Sequence, residues 1–309
     1  MIWPFTGPAA LWLALYVLTF ALHAVFASYV VAGAAYALVR RDELAARTRD
    51  RLPFMLGLAI TAGVAPLLFL QLLYQHRFYT ANLILGPRWG AVVPALIAGF
   101  YALYIAKAKP RLARAALGVG LACFVFVAWS WTEIHLLMQD EPAWRAMYAA
   151  GDRLYTDAPV APRLVLWLGA MTTLFAVVSL AWATSAERRL LAQLGLAGRA
   201  VSLAAALYLG APDAATHGWL YVLGAALATE AIGWIATWRA PDGVGSMIVT
   251  GAASAALIAA TVVREAARLA LLEPPRPSAL AAGGLPVFAA TLVIGALAIG
   301  WVVRTVRRR

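Results

Sequence analysis

Residues 9–39 read AALWLALYVLTFALHAVFASYVVAGAAYALV, a run without one charged side chain. Coiled as an α-helix it is about 45 Å long, more than the ~30 Å hydrocarbon core of a bilayer. A helix this apolar on every face must be buried all round, and lipid is the solvent that does so. A secretory signal places a much shorter apolar region behind a basic start. This chain opens Met-Ile-Trp-Pro-Phe, so the segment is expected to be a retained spanning helix.

Working outward, further apolar runs fall at 53–74, 90–106, 115–138, 164–185, 190–210, 217–238, 243–263 and 284–304. The sequence therefore predicts an all-α, polytopic bundle of about nine spans, one membrane domain over residues 1–309. The sixth run is the least regular: residues 190–199 are amphipathic and only 200–211 are continuously apolar. Composition agrees. The 309 residues are 63% hydrophobic and 13% charged, against roughly 45–50% and about 25% for a soluble domain.

Charge orients the layout. Segments 40–52, 107–114, 186–199, residue 239 and 304–309 hold 17 of the 25 Lys and Arg; the alternate segments hold 8. Basic residues favour the cytoplasmic side, which puts the N-terminus outside and the C-terminus in the cytoplasm, as in a multi-pass protein of a bacterial inner membrane. The net charge of +11 follows from this bias, and no nucleic-acid partner is expected, because no basic stripe lies on a soluble surface. The partner implied is the lipid bilayer. The longest outer connections are 139–163 and 264–283, and residues 264–273 read as an amphipathic helix lying at the interface.

Ionisable groups inside spans are expensive, which makes them the first functional candidates. Two stand out, His23 in the first span and Glu230 in the seventh. A neutral imidazole at His23 suits a haem iron, and Ala27, Ala32 and Gly33 leave room for a flat macrocycle; a hydrogen bond to a neighbouring helix would serve equally. Glu230 either ligates iron, carries a proton, or bonds a hydroxyl on another helix. His135 lies among Trp129, Trp131 and Glu133 at a helix end that reads chiefly as an interfacial anchor. His76, His135 and His217 all fall near outer ends, without zinc-site spacing. Cys123 is the single cysteine, so no internal disulfide or Cys-x-x-Cys-His haem attachment exists. No hydrolase, metalloprotease or phosphate-loop motif is present, and no catalytic residue is assigned. Pro66 and Pro94 have no symmetric counterparts of the kind that mark transporter halves.

Taken in order, these segments resemble subunit I of the cytochrome bd quinol oxidases and their shorter relatives. The first helix with His23 and Gly33 is similar to that family's opening helix, where a histidine binds a high-spin haem. Met55–Gln71, with its spaced glycines, is similar to the second helix, and Trp129–Pro142, containing Met138-Gln139, to the end of the fourth. Glu230-Ala-Ile-Gly233-Trp234 is the most specific match: in the family a Glu followed by Gly-Trp supplies a haem ligand. The sequence also departs from the pattern. The family's Gly-Arg-Gln-Pro-Trp signature is replaced by Ile-Ala-Thr-Trp-Arg-Ala-Pro over 235–241, and span five has no histidine. Span three lacks the proton-path carboxylates, and the quinol loop is reduced to a short connection.

The resemblance implies one or two b-type haems held by His23 and Glu230; His135 is kept beside them as a further cofactor-binding candidate. It also raises a quinone as a possible ligand. The function expected is a haem-bearing subunit passing electrons within a larger respiratory assembly, beside other membrane or periplasmic electron-transfer subunits. Enzymatic activity would be at most that of an oxidoreductase subunit. The rivals are a haem-free structural or anchoring subunit and a small-molecule transporter.

Overall fold

The computed structural model describes residues 9–155, 159–210, 217–266, 268, 289–290, 292–297, 301 and 304. Among them there is no strand, and eight helices are long and apolar enough to cross a membrane. The chain runs α1 (Ala9–Val39), α2 (Glu43–Leu73), α3 (Gln75–Leu85), α4 (Pro87–Gly90), α5 (Val92–Ala108) and α6 (Ala113–Leu137). It continues through α7 (Glu141–Ala150), α8 (Val160–Ser179), α9 (Ser185–Leu209), α10 (His217–Arg239) and α11 (Gly245–Ala266). The ninth expected span, 284–304, lies largely outside the described residues; those described within it are helical. The proposed interface helix over 264–273 is corrected at its start: residues 264–266 are the last turn of α11, and most of the remainder lies outside the described residues.

The spans pair as hairpins. Helices α1 and α2, α5 and α6, α8 and α9, and α10 and α11 pack together, each pair joined by a turn of a few residues on the basic side, the side that the positive-inside rule makes the inner one. The outer connections carry α3, α4 and α7. Helix α1 is central and also packs on α6, α8 and α11. Outward faces carry Leu18, Leu22, Phe54, Leu68 and Ile97, all exposed, as lipid contact requires.

Two boundaries move for physical reasons. Helix α2 starts ten residues before the apolar run, because Asp42 caps it by accepting from the Ala45 N–H. Helix α9 starts at Ser185 with a capping box between Thr184 and Glu187. Residues 186–189, counted with the charged segment before the sixth run, are therefore helical too, and Arg199 stands inside the span.

Close helix approaches use glycine. A Cβ on Gly169 would lie 2.7 Å from the Gly198 carbonyl oxygen, and one on Gly198 would lie 2.7 Å from that of Gly169. There α8 and α9 touch backbone to backbone, and Thr173 donates to the Gly195 carbonyl at 3.0 Å. The core forms two clusters. The inner one gathers around Tyr29, Leu52, Leu103, Phe175 and Trp234; the outer one gathers around Tyr16, Phe69, Phe78, Leu137 and Trp144. His23 sits on α1 between Tyr16 and Tyr29, at a level where its neighbours Ala24 and Ala59 are small.

Candidate functional site

His23 leans across from α1 onto α2. Its Nδ1 lies 2.9 Å from the Ala59 carbonyl oxygen. A carbonyl can only accept, so Nδ1 carries the proton and Nε2 of the neutral ring keeps its lone pair. Metal-bound imidazoles are oriented in this way, by a second-shell acceptor on the opposite nitrogen. One turn further along α2, a Cβ on Gly63 would stand 2.9 Å from His23 Nδ1. The glycine makes the space in which the Nδ1 edge of the ring meets α2.

Glu230 is differently placed. It is fully buried, and α9 supplies Arg199 against it, with Nη2 2.8 Å from Oε2 and Nε 3.3 Å from Oε1. The Trp234 indole donates to Oε1 at 3.1 Å. The rest of the run is explained by packing. The indole of Trp234 fills a notch that only a glycine leaves open at Gly195, and Gly233 lets α11 approach at Val249. Three donors thus converge on the carboxylate expected to bind iron. Coordination would displace Arg199 and leave it unpaired inside the membrane, at a cost of several kcal/mol. The surroundings of Glu230 fit an ion pair and do not fit an iron ligand.

His135 faces the outer end of α6, where its Nδ1 lies 3.1 Å from Arg268 Nη1. A guanidinium only donates, so here Nδ1 accepts and the proton rests on Nε2, leaving no lone pair for a metal. The histidine belongs to a buried network. Glu265 accepts from Arg264 Nε at 2.9 Å, from Arg268 Nη2 at 2.5 Å and from the Tyr74 hydroxyl at 3.3 Å. Tyr16 accepts from Arg264 at 3.0 Å and from Arg268 at 3.3 Å. Arg264 also lies over the Phe20 ring, 3.8 Å from its centre. Burial would favour discharging Arg268, but the Glu265 carboxylate beside it holds its pKa above the ordinary value. Burial, with Glu265 nearby, likewise keeps the Tyr74 phenol protonated. Helices α1, α2, α6 and α11 are tied together at this point.

The aromatic end of α6, expected to anchor in headgroups, is packed beneath the outer connections. Trp131 meets Trp89 edge-on at 5.1 Å. Buried Glu133 accepts from the Trp129 indole at 2.7 Å and pairs with Arg88. His76 lies 5.7 Å from the Trp144 ring, and the His217 side chain lies outside the described residues. Among the described residues no group of three or more His, Cys, Asp or Glu is arranged to hold a metal ion.

Sequence reasoning missed the partners, Arg199, Glu265, Arg268, Tyr16 and Tyr74. For Arg199 a signal existed: the small-residue spacing of Gly195, Gly198 and Ser202 marks a packed helix face rather than a loop. Compared with known proteins, the chain matches no protein-family model and no curated protein.

Proposed function

We propose that this chain is a haem-bearing membrane subunit for electron transfer, working within a larger respiratory assembly, and that His23 is the axial ligand of one b-type haem. The observation that carries the reading is the Nδ1–H of His23 donated to the Ala59 carbonyl, which leaves Nε2 with its lone pair. Such a group, when bound, supplies a one-electron couple whose potential is set by its ligand and by burial. The chain's own part is to hold the imidazole in one tautomer and orientation, through Ala59 and the space at Gly63, inside a bundle that keeps water away. Glu230 and His135 are left out of the ligand set because their acceptor atoms are already engaged.

The same engagement favours a second reading, a haem-free anchoring subunit in which all three residues are structural. An optical spectrum of the full chain purified from haem-replete cells separates the two. A Soret band with a positive pyridine haemochrome assay, lost in His23→Ala and kept in Glu230→Gln and His135→Gln, supports the first. A colourless but folded wild-type protein would sink it.

A further inference from the structure

On the inner side, a cavity of about 320 Å³ opens where the turn between α1 and α2 meets the turn between α5 and α6. Its lining includes Arg40, Arg41, Arg49 and Arg114, with Asp42 the one acidic group, beside the apolar Ala37, Ala45 and Leu117. The acid is paired with Arg40 and leaves the other three arginines to other partners or to none. Asp42 accepts from the Ala45 N–H at 2.9 Å, from Arg40 at 3.0 Å and from the Tyr36 hydroxyl at 3.0 Å. Arg49 is held by Asp50 at 3.1 Å. Arg41 and Arg114 have no ion-pair partner among the described residues. A cavity lined by excess positive charge and by alanines has donors to offer and almost nothing that accepts.

Its position names the occupant. Ala37 lies in the last turn of α1 and Leu117 in the second turn of α6, so the cavity begins in the inner turns and reaches about one helical turn into the bundle. Val39 and Leu112 stand exposed at the ends of the same elements. A soluble anion needs only the rim. A ligand with a phosphate at the rim, a glycerol below and acyl chains along exposed apolar residues uses the whole shape.

We propose that this cavity is a binding site for the phosphate head group of an anionic glycerophospholipid of the inner leaflet. Such basic pockets between spans on the cytoplasmic side suit anionic head groups. Arg41 and Arg114 supply the free guanidinium donors, while Asp42 fixes the turn that presents them. The site is independent of any haem at His23.

The test uses the full chain in nanodiscs of phosphatidylcholine doped with phosphatidylglycerol, followed by detergent extraction and native mass spectrometry of retained lipid. Wild-type protein is expected to retain phosphatidylglycerol selectively. Arg41→Gln and Arg114→Gln should each weaken retention about fivefold, and the pair about 25-fold, as loss of one membrane-facing cation per substitution implies. Arg41→Lys/Arg114→Lys should hold most of the selectivity, and Arg145→Gln on the outer α7 should change nothing. Equal retention of the two lipids by the wild type would overturn the proposal, and that reading needs no variant to fold. So would protection of the wild type from thermal unfolding by inorganic phosphate alone as strong as that by the lipid, which would make the cavity a site for free anions.

Discussion

The two half-buried histidines, His23 and His135, use the same ring atom in opposite senses. His23 Nδ1 donates to a backbone carbonyl of α2, whereas His135 Nδ1 accepts from the guanidinium of Arg268. The first ring has spent its proton and kept a lone pair; the second has spent its lone pair and kept a proton. Glu230 and Glu265 belong with His135, each satisfied by at least one arginine. An ionisable group in a membrane is thus no guide to chemistry until its partner is known. A saturated group fastens helices together, and a half-used one remains available to a ligand.

The largest way to break this contrast is to strip a saturated group of its partner. Arg199→Leu leaves Glu230 buried without its counter-charge and should cost about 3–5 kcal/mol of stability. The Arg199→Leu/Glu230→Leu double variant should recover most of that loss, since neither charge then remains to be paired. Thermal unfolding in detergent checks both. A single variant as stable as the wild type would mean that the pair contributes nothing.

A step down in size, Gly63→Leu forces a Cβ to 2.9 Å from the His23 ring and should cost about 1–3 kcal/mol by overpacking. On the haem reading it should also reduce or shift the Soret band, because the ring must turn. Unchanged pigment in a folded variant would separate His23 from the chromophore. Replacing the histidines themselves sharpens the contrast. His135→Leu removes an acceptor from a buried guanidinium and should cost about 1–3 kcal/mol, while His23→Leu gives up one neutral hydrogen bond worth about 0.5–1.5 kcal/mol. The reverse order in unfolding midpoints would contradict the assignment of which ring is structural.

Hydropathy made eight of the spans readable, because lipid leaves no alternative to long apolar helices for residues such as Ala9–Val39 or Val160–Ser179. It failed where helices run on into water. Glu43–Arg51 and Ser185–Arg189 are charged and helical at once, held by caps and by the Arg47–Glu187 ion pair between α2 and α9. Of the site, His23 and Glu230 were visible as costly groups, but nothing in the order of residues says that Arg199 reaches one while a carbonyl reaches the other. That choice is made by which helix faces meet, and Gly195, Gly198 and Gly233 set those faces through contacts with partners far along the chain.

The smallest expected effect lies outside the spans, at a carboxylate that is satisfied yet half in water. Burial alone would raise the pKa of Asp42, but the Ala45 N–H, Arg40 and Tyr36 bonds outweigh it and bring the value below the ordinary one. A folded-state pKa below the unfolded value of about 3.9 gives stability that is present above that pH and is lost as pH falls through the folded value. Asp42→Ala should therefore cost about 1 kcal/mol at neutral pH, the usual worth of an N-cap. The gap between variant and wild type should narrow once the medium is acidic enough to protonate Asp42 in the fold. A difference in unfolding midpoint that stays constant down through that range would show that the carboxylate's charge is not what caps α2.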